Sequence, residues 1–272
     1  MVKLSSRSAA TEAAATGAET HPSASSAPAA LERDGYFVAR GLVDAAWIEE
    51  VRAAVGTALH PLMGPVEFEA EVGYPGAPAR LESQGGRTPR RLLHAASRFP
   101  ALGDWARSAA VANLLKPWLG AAALLSQCHH NCVMTKHPGY SSATLWHQDI
   151  RYWSFDRPEL VSVWLALGEE NSRNGALSVI PGSHQLHLDR GRFDRDLFLR
   201  PDLEENKALI RRSREVALAP GDVLFFHCRA MHAAGVNRSD RIKLSCVFTY
   251  HAADNRPIPN TRSDRYPGLP LD

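Results

Sequence analysis

The chain has 272 residues, a formal net charge of +2, and is 44% hydrophobic, 22% charged and 8% aromatic. Such a composition can bury a large core, as one domain or two small ones, and leaves no basic footprint for nucleic acid. No stretch reaches about 18 apolar residues without a charge, which argues against a membrane span.

The four cysteines, Cys128, Cys132, Cys228 and Cys246, are too few and too scattered for a disulfide scaffold. Lys3 and Arg7 are not followed by an apolar stretch of the secretory kind, so a reduced, cytoplasmic protein is expected. Residues 1–30 are rich in Ala, Ser, Thr and Pro. They cannot bury enough apolar surface to offset the entropy of ordering, and a disordered tail is expected there. Residues 31–272 are expected to form a single domain.

Gly35-Tyr36-Phe37-Val38 reads as a short strand. Asp44 is a candidate N-cap for a helix to about Leu59, with Ile48, Val51, Val55 and Leu59 on one face. Residues 64–91 hold several Pro and Gly and the cations Arg80, Arg87, Arg90 and Arg91. A long irregular lid or binding loop is expected there. A second helix is expected over about Ser108 to Trp118. From residue 122 short β-rich runs follow one another: Leu124–Lys136, Thr144–Ile150, Leu160–Leu167, Ala176–Ile180, Glu215–Leu218, Asp222–His227 and Ile242–His251. Turn signals such as Pro138-Gly139, Asn174-Gly175, Pro181-Gly182 and Pro220-Gly221 separate them. Helical periodicity appears only around 202–212. Helices first and strands after, without alternation, predict a mainly β fold with flanking helices. A sandwich or jelly roll is expected, its core spanning about 122–252.

Twelve histidines make a metal site worth seeking. The sharpest pattern is Trp146-His147-Gln148-Asp149. On a strand, residues i and i+2 share a face, so His147 and Asp149 present an imidazole and a carboxylate together. A third ligand from a neighbouring strand would complete a two-histidine, one-carboxylate triad, the arrangement that leaves open positions on Fe(II). Downstream, the strand after Pro220-Gly221 ends in His227. His232 follows five residues later, then small residues, then the cationic strand Arg241-Ile242-Lys243.

With these residues the sequence resembles the phytanoyl-CoA dioxygenase family of iron- and 2-oxoglutarate-dependent oxygenases over roughly residues 31–252. The resemblance is carried by Glu32-Arg33-Asp34-Gly35-Tyr36, by His147-Gln148-Asp149, and by Asn174-Gly175-Ala176-Leu177 running into Pro181-Gly182-Ser183-His184. Gly221-Asp222 and His232 with Asn237 complete it. The resemblance implies a double-stranded β-helix (a cupin-like jelly roll), with His147, Asp149 and His232 on Fe(II). It implies 2-oxoglutarate as cosubstrate, O2 as oxidant, and succinate and CO2 as coproducts. It also implies a cation near eleven positions after the distal histidine, binding the far carboxylate of 2-oxoglutarate. Lys243 stands there, with Arg241 on the same strand face, and the family's usual hydroxyl two residues after the histidine is Ala234 here. Gln148 and Trp164 match positions that approach the cosubstrate. Asp149 itself separates this chain from related halogenases, which have Ala or Gly in its place.

Other residues compete for attention. His227 is the rival of His232 as third ligand, and His184 reads as structural. In Cys128-His129-His130-Asn131-Cys132, alternate residues share a face, and a buried or pocket-lining strand is the expected reading. Arg151, two residues beyond Asp149, shares the ligand face if the strand continues, among Trp146, Tyr152, Trp153 and Phe155. It is the candidate for binding an anionic substrate, with Arg87 of the loop as helper; pairing with Asp156 or Glu159 is the alternative. The expected activity is hydroxylation of a C–H bond in a small anionic metabolite, without nucleic acid or membrane as partner. The oligomeric state stays open, a homodimer among the alternatives. The competing functions are a jelly-roll binding protein without oxygenase activity, or the same centre used for desaturation, epoxidation or cyclisation.

Overall fold

The computed structural model describes residues 27–272. Along them run α1 (Ala27–Asp34), β1 (Tyr36–Ala39), α2 (Ala45–Leu59), β2 (Val66–Phe68), β3 (Pro89–Leu93), α3 (Ala95–Arg98), α4 (Pro100–Arg107) and α5 (Ala109–Leu119). Then come β4 (Ala123–Leu125), β5 (Asn131–Lys136), β6 (Thr144–His147), β7 (Leu160–Ala166), β8 (Leu177–Val179), α6 (Glu204–Ile210), β9 (Arg214–Glu215), β10 (Val223–His227), β11 (His232–Ala234), β12 (Lys243–Ala252) and β13 (Leu269–Pro270). The tail expected over 1–30 lies outside the described residues as far as 26, and residues 27–30 open α1. Among the described residues no helix is long and apolar enough to cross a membrane.

The helices form where capping and periodicity agree. Asp44 sits in extended backbone and its carboxylate accepts the Trp47 N–H, closing the first turn of α2. Ile48, Val51, Val55, Ala58 and Leu59 of that helix are buried. In α5, Val111, Leu115 and Leu119 recur every fourth residue and face inward. The short α3 and α4 escape a sequence reading because neither is long enough to display a period. Pro100 opens α4 at its first turn, where its missing N–H costs nothing.

Antiparallel pairing joins β1-β10-β7-β12-β5-β3-β2 into one large sheet, with β4 beside β12 and β13 beside β4. A smaller sheet runs β6-β11-β8-β9. The helices cover the outer face of the large sheet, where Ile48, Val55, Leu102 and Leu115 meet Leu92, Val133, Val163, Phe225 and Phe248. The inner face closes against the small sheet through Cys132, Trp164, Leu177, Val179, Leu224, Phe226 and Val247. This is the expected jelly roll with a helical layer. β7 is buried along its whole length, which is why it reads as a continuous apolar run rather than an alternating one.

Three expectations need correction. Residues 64–91 are not one irregular loop, because β2 and β3 extend the large sheet at each end of the segment. The run 124–136 is broken into β4 and β5. The strand expected at Thr144–Ile150 stops at His147, and Asp149–Tyr152 form a 3-10 turn. All four cysteines are free and buried.

Candidate metal centre

Two of the expected ligands meet because of strand register. β11 pairs antiparallel with β6, and His232 lies directly opposite His147. The chain then turns at Gln148, and Asp149 swings beneath both rings. Its Oδ1 is 3.6 Å from His147 Nε2 and 3.6 Å from His232 Nε2. The three donor atoms lie within 4.8 Å of one another, and all three residues are buried. His227 stays apart: its Nδ1 accepts the Arg229 N–H, and its ring packs 5.3 Å from that of His184.

The neighbours prepare these donors. His147 Nδ1 is 2.8 Å from the Leu145 carbonyl and His232 Nδ1 is 3.0 Å from the Ala230 carbonyl. Each Nδ1–H therefore donates to a carbonyl, and each ring turns its Nε2 toward Asp149. Burial, with His147 beside it, lowers His232 to about 4, so it is neutral near pH 7. Burial alone would raise the Asp149 carboxyl, but His130 and His232 hold it well below the ordinary range. Ser162 Oγ of β7 donates to Asp149 Oδ2 at 2.8 Å, and His130 Nε2 is 3.2 Å from Oδ1. A pair of imidazole nitrogens and a carboxylate oxygen, fixed by partners behind them, is the donor chemistry that suits Fe(II).

A cavity of about 560 Å³ opens beside the cluster. Tyr74, His130, Arg151, Tyr152, Trp153 and Phe198 are among its lining, and Phe198 meets the His147 ring edge-on at 5.9 Å. Arg151 reaches this cavity from the 3-10 turn, not from a continuing strand as expected. Its guanidinium lies 3.8 Å from the Phe198 ring centre and 4.2 Å from that of Tyr152. Its Nη2 donates to the Tyr152 hydroxyl. Nε and Nη1 are buried without a hydrogen-bond partner. Neither Asp156 nor Glu159 pairs with it; Glu159 is held by Arg157 at 2.9 Å.

The remaining expected residues are placed differently. Arg87 is exposed and off the cavity wall, and Arg241 is exposed. Gln148 donates its amide to the Arg229 carbonyl at 2.6 Å, tying β6 to the strand connection before β11. Lys243 is buried but not free, since its Nζ lies 2.7 Å from Glu170 Oε2. Trp164 lies 5.1 Å from that ammonium and donates its indole N–H to Glu170. Of the four expected loop arginines, Arg90 is buried against Glu69 at 3.2 Å, and Arg91 lines the cavity while bound to both oxygens of Glu67.

Sequence reasoning missed the partners His130 and Ser162 as contacts of Asp149, and Glu170 as the partner of Lys243. Asn131 lines the cavity, and its side-chain oxygen accepts the Ala96 N–H at the start of α3.

Comparison with known proteins agrees with this geometry. The family model described as phytanoyl-CoA dioxygenase matches residues 31–245. The chain is 27% identical over 245 residues to an ectoine dioxygenase of Sphingopyxis alaskensis, covering 84% of this chain and 76% of that one. It is 27% identical over 186 residues to a probable alpha-ketoglutarate-dependent hypophosphite dioxygenase of Stutzerimonas stutzeri, covering 66% and 64%. Among solved structures, EctD from S. alaskensis with 2-oxoglutarate and 5-hydroxyectoine superposes with TM-score 0.71 at 21% identity, over 93% of this chain and 87% of that one. The epimerase SnoN, in complex with Fe3+, alpha ketoglutarate and nogalamycin RO, has TM-score 0.67 at 22% identity, over 92% and 95%. With a family match over most of its length and a two-histidine, one-aspartate cluster at the matched positions, the chain belongs to the phytanoyl-CoA dioxygenase family of iron- and 2-oxoglutarate-dependent oxygenases.

Proposed function

We propose that this chain hydroxylates a C–H bond of a small anionic metabolite, with Fe(II) held by His147, Asp149 and His232, 2-oxoglutarate as cosubstrate and O2 as oxidant. The bound metal and 2-oxo acid supply the oxidising chemistry, with succinate and CO2 as coproducts; the protein supplies binding, orientation and exclusion of water. Two relatives are named for small substrates, ectoine and hypophosphite.

The observation that carries the anionic class is Arg151. A guanidinium is always charged, and this one has two buried nitrogens without an acceptor while lining the cavity beside His147. Leaving such donors unmade is costly, and an anion from the substrate would supply an acceptor for them. The Phe198 and Tyr152 rings both lie against the guanidinium. The same rings meet the His147 ring edge-on. The Tyr152 hydroxyl, 3.0 Å from that of Tyr74, closes the wall above it.

The test is a screen of small metabolites for compounds that trigger succinate release from 2-oxoglutarate in the presence of Fe(II) and O2. Anionic compounds should be the hits. A best substrate that is neutral or cationic, or succinate release that no compound stimulates, would overturn the reading.

A further inference from the structure

Phe198 reaches the cavity from a turn far from the metal cluster in sequence. Its ring centre is 3.8 Å from the Arg151 guanidinium carbon, 5.9 Å from the centre of the His147 ring and 5.4 Å from that of Tyr74. It meets both of those rings edge-on. Phe198 is 6% exposed, whereas Tyr152, the other ring on Arg151, is 41% exposed. Tyr152 also follows Arg151 directly in the chain and moves with it. Phe198 belongs to a separate segment, so its ring is a fixed reference for the guanidinium. A long charged side chain loses rotamer freedom when it is held still, and a buried aromatic face offsets that loss by attracting the cation. An anchor held before its anion arrives binds that anion at less cost.

The turn that carries Phe198 is locked at its base and strained at its tip. At the base Phe193 and Leu199 pair as an antiparallel bridge, and the Arg200 N–H bonds the Arg192 carbonyl at 2.9 Å. The buried Asn206 donates its amide to the Arg192 and Arg200 carbonyls at 2.8 Å each and accepts from Arg192 Nε at 2.7 Å. Leu199 packs with Ile180, Leu209 and Met231, and its N–H bonds the carbonyl of Trp146, the residue before His147. At the tip, Asp194 Oδ1 accepts the Asp196 N–H at 2.9 Å and the Phe198 N–H at 2.8 Å, and the Asp194 N–H donates to the Phe198 carbonyl at 2.8 Å. Between these bonds Leu197 has φ +62°. A bulky side chain adopts left-handed backbone at a cost, and keeps it only where the surroundings over-determine it. The Asp194 carboxylate is what over-determines it here. The strain is local, and its result is a buried ring laid against Arg151.

Building on the reading of Arg151 as the anion anchor, we infer that Phe198 is a specificity-determining residue of this site. It fixes where the guanidinium, and with it the substrate's anion, stands relative to His147. Asp194 is the positioning residue that holds Phe198 there through the Leu197 turn.

The test is NMR spectroscopy of protein with isotope-labelled arginine, loaded with diamagnetic Zn(II), which reads the Arg151 Nε–H directly. Arg151→Lys removes that signal and so identifies it. The probe anion is acetate. In wild type the signal should lie upfield under the ring, exchange slowly with water, and move as acetate is added. Phe198→Leu keeps an apolar side chain without a ring face. It should lose the upfield shift, speed exchange by about tenfold or more and weaken acetate by about threefold or more, as for loss of a desolvated cation–π contact. Zinc content should stay as in wild type. Asp194→Ala should repeat these changes, and Asp194→Asn should restore the wild-type signal, because its side-chain oxygen still accepts both N–H groups. Leu197→Gly should keep the signal. Leu197→Ile, of equal volume but branched at Cβ, should lose it, because branching raises the cost of left-handed backbone. A Phe198→Leu protein with the wild-type Arg151 shift and exchange, or an Asp194→Asn protein that behaves as Asp194→Ala, overturns the inference. A wild-type Arg151 signal that ignores acetate overturns the reading of Arg151 as anion anchor instead.

Discussion

At the scale of single residues, chemistry depends on which nitrogen of an imidazole is free. The Leu145 and Ala230 carbonyls fix the His147 and His232 tautomers and leave both Nε2 atoms for a metal. His147→Ala, Asp149→Ala and His232→Ala should each lose iron on dialysis against a chelator, because two remaining donors hold a divalent ion poorly. His227→Ala should keep it, since that ring contacts Arg229 and His184 rather than Asp149. Metal analysis checks the set, and loss of iron from His227→Ala with retention in His232→Ala would reverse the assignment. Arg151→Ala belongs to the same scale. It removes a cavity cation with two unpartnered donors, so kcat/KM for an anionic substrate should fall by about tenfold to a hundredfold. Iron content and the KM for 2-oxoglutarate should stay as in wild type, because Arg151 touches neither the ligand triad nor Lys243.

At the scale of elements, register does the assembling. One residue of slip between β6 and β11 would turn His232 to the opposite face and dissolve the cluster. The joint between α1 and β1 shows how tightly the outer elements are set. Gly35 adopts φ +79°, its N–H caps the Leu31 carbonyl and its carbonyl accepts the His227 N–H. A Cβ there would stand 2.4 Å from His184 Nδ1. Gly35→Ala combines a left-handed backbone with a collision, and should cost about 2 kcal/mol or more. A denaturation midpoint equal to wild type would show that the joint can relax.

At the scale of the whole molecule, the core holds several histidines in neutral form. Burial is the leading cause in each: His129 is lowered to about 3 with help from His130, His227 to about 4 with help from His184, and His232 to about 4 with help from His147. An unfolded histidine titrates near about 6.5. Between that value and about 4 the unfolded chain binds more protons than the folded one, so stability rises with pH and is lost on acidification. Each group contributes at most about 1.4 kcal/mol per pH unit in that window. His130 works in the opposite sense elsewhere. Burial lowers it, but Asp149 outweighs burial and raises it to about 9, so its contribution is present below about 6.5 and is lost as pH rises through 9. Metal-free protein should therefore lose urea stability steeply from about pH 6.5 to 4, and His227→Phe should flatten that slope. A flat wild-type profile across the window would contradict it.

Much of the centre was legible because it is local. His147 and Asp149 are two residues apart, their spacing to His232 follows a family pattern, and α2 and β7 announce themselves through a cap and an apolar run. Those features need only the chain's own periodicity. The partners of the centre are not local. His130 reaches Asp149 across 19 positions, Ser142 reaches Glu69 across 73, and Lys243 reaches Glu170 across 73. No spacing rule links such pairs; sheet order and register bring them together. The same reason explains the arginines, which look alike in sequence. Arg90 and Arg91 enter a strand and find acids, Arg87 and Arg241 stay in solvent, and Arg151 is left unpaired in the cavity. Residue types and short-range order determined the kind of centre this chain can build. Which charges are neutralised, and which remain for a ligand, was decided by tertiary packing, because burial and long-range pairing set the energy of a charge.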